Sequence, residues 1–179
     1  MTNKSKEVVI VNAIRTPIGT YKGSLKNMKS HALGSIVIKE VLSRSKFDKD
    51  EIDEVIMGQV LTTGAGQNPA RQAAINAGIP ISKPAHIINQ VCGSGLRAVI
   101  SGYQSIKLGE AKNIISGGQE NMSIAPHSIF YRDKKKISED KLLDTMINDG
   151  LIDAFNNYHM GVTAENVAKK FDISREEQD

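Results

Sequence analysis

Ala85-His86-Ile87-Ile88-Asn89-Gln90-Val91-Cys92-Gly93-Ser94-Gly95-Leu96-Arg97 reads as a strand, a tight turn and the start of a helix. Residues 85–88 are short and apolar, and from Leu96 the apolar spacing becomes helical through about residue 108. A strand feeding through a glycine-bearing turn into a helix is the repeating unit of α/β sheets. Cys92 occupies that turn, and such turns at the carboxyl ends of strands are where open α/β sheets place their chemistry. A helix start offers unsatisfied N–H groups and the positive end of a dipole, so a thiolate nucleophile is expected there. Gly93 and Gly95 keep side-chain bulk away from the sulfur. The competing reading of a lone cysteine is a small buried hydrophobe, and on the residues alone both stay open.

The same alternation extends in both directions. Upstream, residues 8–13 (Val-Val-Ile-Val-Asn-Ala) form a β-branched run that predicts a buried strand, broken by Arg15-Thr16-Pro17. A helix is expected over 30–43, with Ser30 as its cap and Leu33, Ile36, Val37 and Val41 at helical spacing. A second strand is expected over 54–61, then a glycine-rich turn to Gln67. A helix follows, opened by Asn68 as cap and Pro69 at its first position. Downstream of the third helix, residues 113–118 predict a fourth strand. The order βαβαβαβ implies a mostly parallel sheet with right-handed crossovers and helices on both faces. The pattern dissolves after Glu120. Residues 121–160 read as loops and short helices without a clear strand, and a last full helix is expected over 163–171. Ser174-Arg175-Glu176-Glu177 is a capping box that announces a helix with little sequence behind it, which suggests a chain that stops within a fold. The expected division is an α/β domain over 1–120 and a partial second domain over 121–179.

Composition narrows the function. The 179 residues are 40% apolar, with 15 glycines, no tryptophan and one cysteine, so the core is aliphatic and an internal disulfide is excluded. No apolar run reaches the ~18 residues of a membrane span and no signal-peptide pattern is present, so a cytoplasmic protein without a membrane partner is expected. The net charge of +3 is mild. Arg132-Asp133-Lys134-Lys135-Lys136 is the only dense basic run and lacks interleaved aromatics, so a nucleic-acid partner is not expected. Residues 64–69 could suggest a dinucleotide loop, but Pro69 replaces its third glycine, and a helix-capping turn fits better. His31 and His127 read as surface residues and His86 as a structural strand histidine. His159 stands at a helix start, where its polar tip could meet a ligand. No histidine, cysteine and carboxylate cluster has metal-ligand spacing, so no metal is expected.

Taken together, these stretches resemble the thiolase family, and within it the biosynthetic acetyl-CoA acetyltransferases. The likeness rests on residues 15–19 (Arg-Thr-Pro-Ile-Gly), 66–72 (Gly-Gln-Asn-Pro-Ala-Arg-Gln), 89–96 around Cys92, 117–123 (Gly-Gly-Gln-Glu-Asn-Met-Ser), 159–161 (His-Met-Gly) and 163–166 (Thr-Ala-Glu-Asn). The resemblance implies a thiolase-like α/β fold followed by the start of a loop domain. It further implies that Cys92 accepts an acetyl group as a thioester, its backbone N–H serving one oxyanion hole, and that a second acetyl-CoA attacks as a carbanion to give acetoacetyl-CoA; the reverse is thiolysis. His159 and Met160 match positions that line the acyl and pantetheine site. Coenzyme A is then the carrier of substrate and product, no separate cofactor is expected, and a homo-oligomer, dimer or tetramer, is implied. The likeness covers about half of a family member. The family's activating histidine and second cysteine belong to a later domain: no second Cys is present and no His follows His159. The alternatives are therefore a catalytically incompetent N-terminal fragment, or one chain of a split thiolase whose partner supplies the missing His and Cys.

Overall fold

The computed structural model describes residues 7–132 and 142–179. The chain divides into two compact units, Met1–Ala125 and Pro126–Asp179. In the first, three parallel strands, β1 (Glu54–Gly58), β2 (Ala85–Ile88) and β3 (Ile114–Gly118), lie in the order β2-β1-β3. Their register places Gly58 of β1 beside Ile88 on one side and Gly118 on the other, so all three strands end together.

Side-chain alternation along β1 sorts the helices onto two faces. Val55 and Met57 join the core with Ile38 of α1 (Ser30–Ser45) and Ala70, Ala73 and Ala74 of α2 (Pro69–Ala77). Ile56 and Gly58 point the other way, toward α3 (Ser94–Leu108). The buried face of α3 is built from Ser94, Ala98 and Gly102, one small residue per turn. That seam lets the helix sit almost on the backbone of the sheet. A Cβ at Gly58 would overlap the Ser94–Gly95 peptide, which is why that strand ends in glycine.

The helix ends follow local chemistry. Asn68 caps α2 by accepting from Arg71 N at 3.1 Å, with Pro69 at the first position as expected. The preceding turn is tied to α2 by Gln72, whose Nε2 donates to the carbonyls of Ala65 and Gln67, both at 2.8 Å. The helix-capping turn is what the structure contains there.

Several expectations are corrected. Residues 8–13 form no strand: Val9, Ile10 and Val11 are 65%, 78% and 61% exposed. Among the described residues none pairs with them, and β propensity cannot make a strand without a neighbouring edge. The second strand stops at Gly58 rather than residue 61, because Val60 and Leu61 turn their N–H groups to a side chain. Ser30 is the first helical residue and not the cap, which is Lys29; its hydroxyl accepts instead from Gln59 Nε2 at 3.0 Å. His31 is half-buried rather than on the surface, and burial together with nearby Lys29 holds its pKa below the ordinary histidine value.

In the second unit, two short strands, β4 (His127–Ser128) and β5 (Leu143–Asp144), pair antiparallel where no strand was expected. The lysines at 134–136 lie outside the described residues. A π-helical turn, Ile147–Leu151, leads toward α4 (Met160–Phe171), which starts three residues earlier than expected. The capping box forms as read: Glu177 N donates to Ser174 Oγ at 3.2 Å and Ser174 N to Glu177 Oε2 at 2.8 Å, opening α5 (Arg175–Gln178).

Candidate active site

Cys92 is exposed, two residues ahead of the first helical residue of α3 and one ahead of its cap, Gly93. It therefore stands on the approach to the helix rather than in its first turn. Val91, immediately before it, has φ +48°. A β-branched residue in the left-handed region is strained, at a cost of about 1–3 kcal/mol, and persists only where its surroundings hold it.

Those surroundings are visible. Ser94 Oγ accepts from Gln90 N at 2.8 Å and donates to Val91 O at 2.6 Å, bracing the turn from within. Gly93 N and Ser94 N close it by donating to Gln90 O and Val91 O, at 3.1 and 3.0 Å. Val91 N donates to Asn89 Oδ1 at 2.9 Å. The thiol is thus displayed from a rigid corner at the point where the three parallel strands end.

Beside that corner lies a polar layer not anticipated from the sequence. Gln59 and Gln119 follow the terminal glycines of β1 and β3 and are both buried. Gln119 Nε2 donates to Gln59 Oε1 at 2.9 Å, and Gln59 Nε2 donates onward to Leu61 O at 2.8 Å as well as to Ser30. Glu120 Oε2 accepts from Val60 N at 2.8 Å and Leu61 N at 3.2 Å. Burial pushes the Glu120 carboxyl above the usual carboxylate range, against the opposing pull of the N–H groups of Val60, Leu61 and Asn121. Gln119 Oε1 and Glu120 Oε1 are buried without a partner among the described residues. The signal that could have found this layer is the Gly-Gln dipeptide repeated at 58–59 and 118–119, at matched strand ends.

His159 and Met160 come together at the head of α4, in the other unit from Cys92. His159 is exposed and caps the helix, its Nδ1 accepting from Gly161 N at 2.9 Å. That bond leaves the neutral ring's proton on Nε2, which can donate to a ligand. Met160 lines an open groove of roughly 430 Å³ with Thr163, Val167 and Ile173. Thr163 Oγ1 is buried there without a partner among the described residues. His86 is exposed and pairs with Glu54 across the strands at 2.9 Å, and exposed His127 faces Asp144 at 3.9 Å.

Among the described residues, no group of three His, Cys, Asp or Glu side chains is placed to hold a metal, and no helix is long and apolar enough to cross a membrane.

Residues 8–179 match the family "Thiolase, N-terminal domain". The chain belongs to the thiolase family. It is 55% identical over 173 residues to the acetyl-CoA acetyltransferase of Paracoccus denitrificans, covering 97% of this chain and 44% of that protein. It is 53% identical over 179 residues to the cytosolic acetyl-CoA acetyltransferase of Rattus norvegicus, covering 100% of this chain and 45% of that one. The probable acetyl-CoA acetyltransferase of Escherichia coli K12 is 53% identical over 175 residues, 97% of this chain and 44% of its own length. This thiolase-family chain therefore spans a little under half the length of the curated relatives it matches.

Proposed function

We propose that this chain carries the acyl-accepting part of an acetyl-CoA acetyltransferase. The observation that carries the reading is Cys92: the chain's single cysteine, exposed, and displayed on a braced left-handed turn at the common end of three parallel strands. In the first half-reaction the Cys92 thiolate attacks the thioester carbonyl of acetyl-CoA. The sulfur–carbonyl bond to the enzyme forms, the bond to coenzyme A breaks, and coenzyme A leaves as its thiol after taking up a proton. The N–H of Cys92 is the donor proposed for the oxyanion, since those of Gly93 and Ser94 already close the turn. Exposed Cys92 leaves room for a bulky thioester, and the glycine that follows it adds no bulk.

In the second half-reaction a second acetyl-CoA loses a methyl proton and its carbanion attacks the acetyl-Cys92 carbonyl. Acetoacetyl-CoA forms and the thiolate is released; thiolysis is the same path reversed. By the family resemblance, the acid/base for that proton is a second Cys and the group that activates Cys92 is a His; in this sequence Cys92 is the single cysteine and no His follows His159. His159 Nε2 and the Met160 groove are proposed to meet the acyl and pantetheine part of the substrate. Coenzyme A is the carrier and no further cofactor is invoked. Assembly as a homo-oligomer is part of the same proposal; so is a place in the cytoplasm, in line with the word cytosolic in the names of the relatives from Rattus norvegicus and Mus musculus.

The second reading is a catalytically incompetent fragment, or one chain of a split thiolase whose partner supplies the missing His and Cys; it is favoured by the lack, in this sequence, of a His after His159 that would activate Cys92 for loading. Rapid mixing with excess acetyl-CoA separates the two. A stoichiometric burst of free coenzyme A, abolished in Cys92→Ser, supports the acyl-accepting role; no burst supports the second reading.

A further inference from the structure

Glu120 is a half-buried carboxylate that this chemistry leaves unused, and its contacts lead to Cys92. It is the second residue after β3, and the backbone ladder continues past the strands there: Gln119 N donates to Gly58 O at 3.0 Å and Gln59 N to Ile88 O at 3.1 Å. Asn89, Gln59 and Gln119 are thus aligned across the top of the sheet, and Val60 and Glu120 each stand one residue further on. Glu120 Oε2 takes the N–H groups of Val60 and Leu61. The carbonyl of Val60 in turn accepts from Asn89 Nδ2 at 3.5 Å, and Asn89 Oδ1 accepts from Val91 N at 2.9 Å. Val91 is the left-handed residue that sets the direction of Cys92.

Extending the reading of Cys92 as acyl acceptor, we propose that Glu120 is a positioning residue for Cys92, holding the 60–61 backbone against which Asn89 fixes the left-handed Val91. A carboxylate suits this task because one oxygen can accept two N–H groups with charge-assisted bonds. The other oxygen, Oε1, is buried and unpartnered among the described residues, so the group gains little else from its charge. The influences on the carboxyl are burial and the N–H groups of Val60, Leu61 and Asn121; none of these is a charged side chain. Protonation weakens the hold on Val60 and Leu61, so the geometry of the Cys92 turn responds to the ionisation of Glu120.

The test is the pH profile of Cys92 alkylation by iodoacetamide in the chain as it stands, with thermal unfolding of each variant as control. In the wild type, the rate falls on acidification more steeply than the ionisation of a single thiol allows, because Glu120 is protonated as well. In Glu120→Gln the amide carbonyl can take the same two N–H groups, so the rate near neutral pH is kept and the profile becomes that of one ionisation. In Glu120→Ala the neutral-pH rate falls about fivefold. Should Glu120→Ala fail to fold, the change of slope in Glu120→Gln decides. A wild-type profile of one ionisation, or the same slope in Glu120→Gln, overturns the proposal. Alkylation uses no coenzyme A, so loss of acetyl transfer with this profile intact would count against the proposed function alone.

Discussion

Gln119 donates from Nε2 to Oε1 of Gln59 at 2.9 Å, joining the carboxyl ends of β3 and β1 through two buried side chains. Replacing Gln119 by Leu would strip Gln59 Oε1 of its donor in a dry layer, and an unsatisfied buried polar atom costs about 1–3 kcal/mol. Urea unfolding of Gln119→Leu is expected to show a loss in that range, and replacing both glutamines by Leu a loss smaller than the two single losses added together. A loss under about 0.5 kcal/mol in the single variant would mean the pair is ornamental.

Ser94 braces the Cys92 turn with two hydrogen bonds, from Gln90 N and to Val91 O, and sits buried against Gly58. Ser94→Ala keeps the small size that the seam requires and removes both bonds. Stability is expected to fall by about 1–2 kcal/mol. Relaxation of Val91 from its left-handed conformation is expected to slow iodoacetamide at Cys92. An unchanged alkylation rate would show that the turn holds itself.

Residues 8–13 and β1 look equally strand-like in sequence, yet Ile10 is 78% exposed and Ile56 is 1% exposed. Ile56→Ala is expected to cost about 2–5 kcal/mol, as cavity-forming core changes do. Ile10→Ala should stay within about 0.5 kcal/mol of the wild type, as for surface positions. Equal losses in thermal unfolding of this chain would place residues 8–13 inside the core after all.

Asp53 holds the entry to β3, its Oδ2 accepting from Lys112 N at 2.7 Å and Asn113 N at 3.1 Å. Those two N–H groups are the main reason its carboxyl lies below the usual aspartate range. A lowered pKa in the folded chain means stability that is present above the unfolded pKa and lost as pH falls through the folded one. The thermal-unfolding midpoint of Asp53→Asn should therefore lie below that of the wild type near neutral pH, with the gap closing in acid. A gap that is constant with pH would remove charge from the account.

Local chemistry was legible in the sequence. The Asn68 cap with Pro69 behind it, the Ser174–Glu177 box and the strand-turn-helix around Cys92 all form where the residues announce them, because each is decided within a few residues. Non-local chemistry was not. Strand pairing for 8–13 depends on an edge elsewhere in the chain, and β propensity says nothing about whether one is present. Gln59 reads as part of the second strand and Gln119 as a polar residue just past the fourth, and nothing local marks either as buried; only the register of β1 with β3 brings Gln59 beside Gln119. The strain at Val91 was equally hidden, because Val is among the residues least expected at positive φ.

The central claim is that Cys92 accepts an acetyl group, and it is tested most directly by the intact mass of the 19.5 kDa chain, denatured after brief exposure to acetyl-CoA. The account predicts an acetyl adduct on the chain that maps to Cys92 and is absent in Cys92→Ser. An unmodified mass from a folded chain whose Cys92 still reacts with iodoacetamide would contradict it.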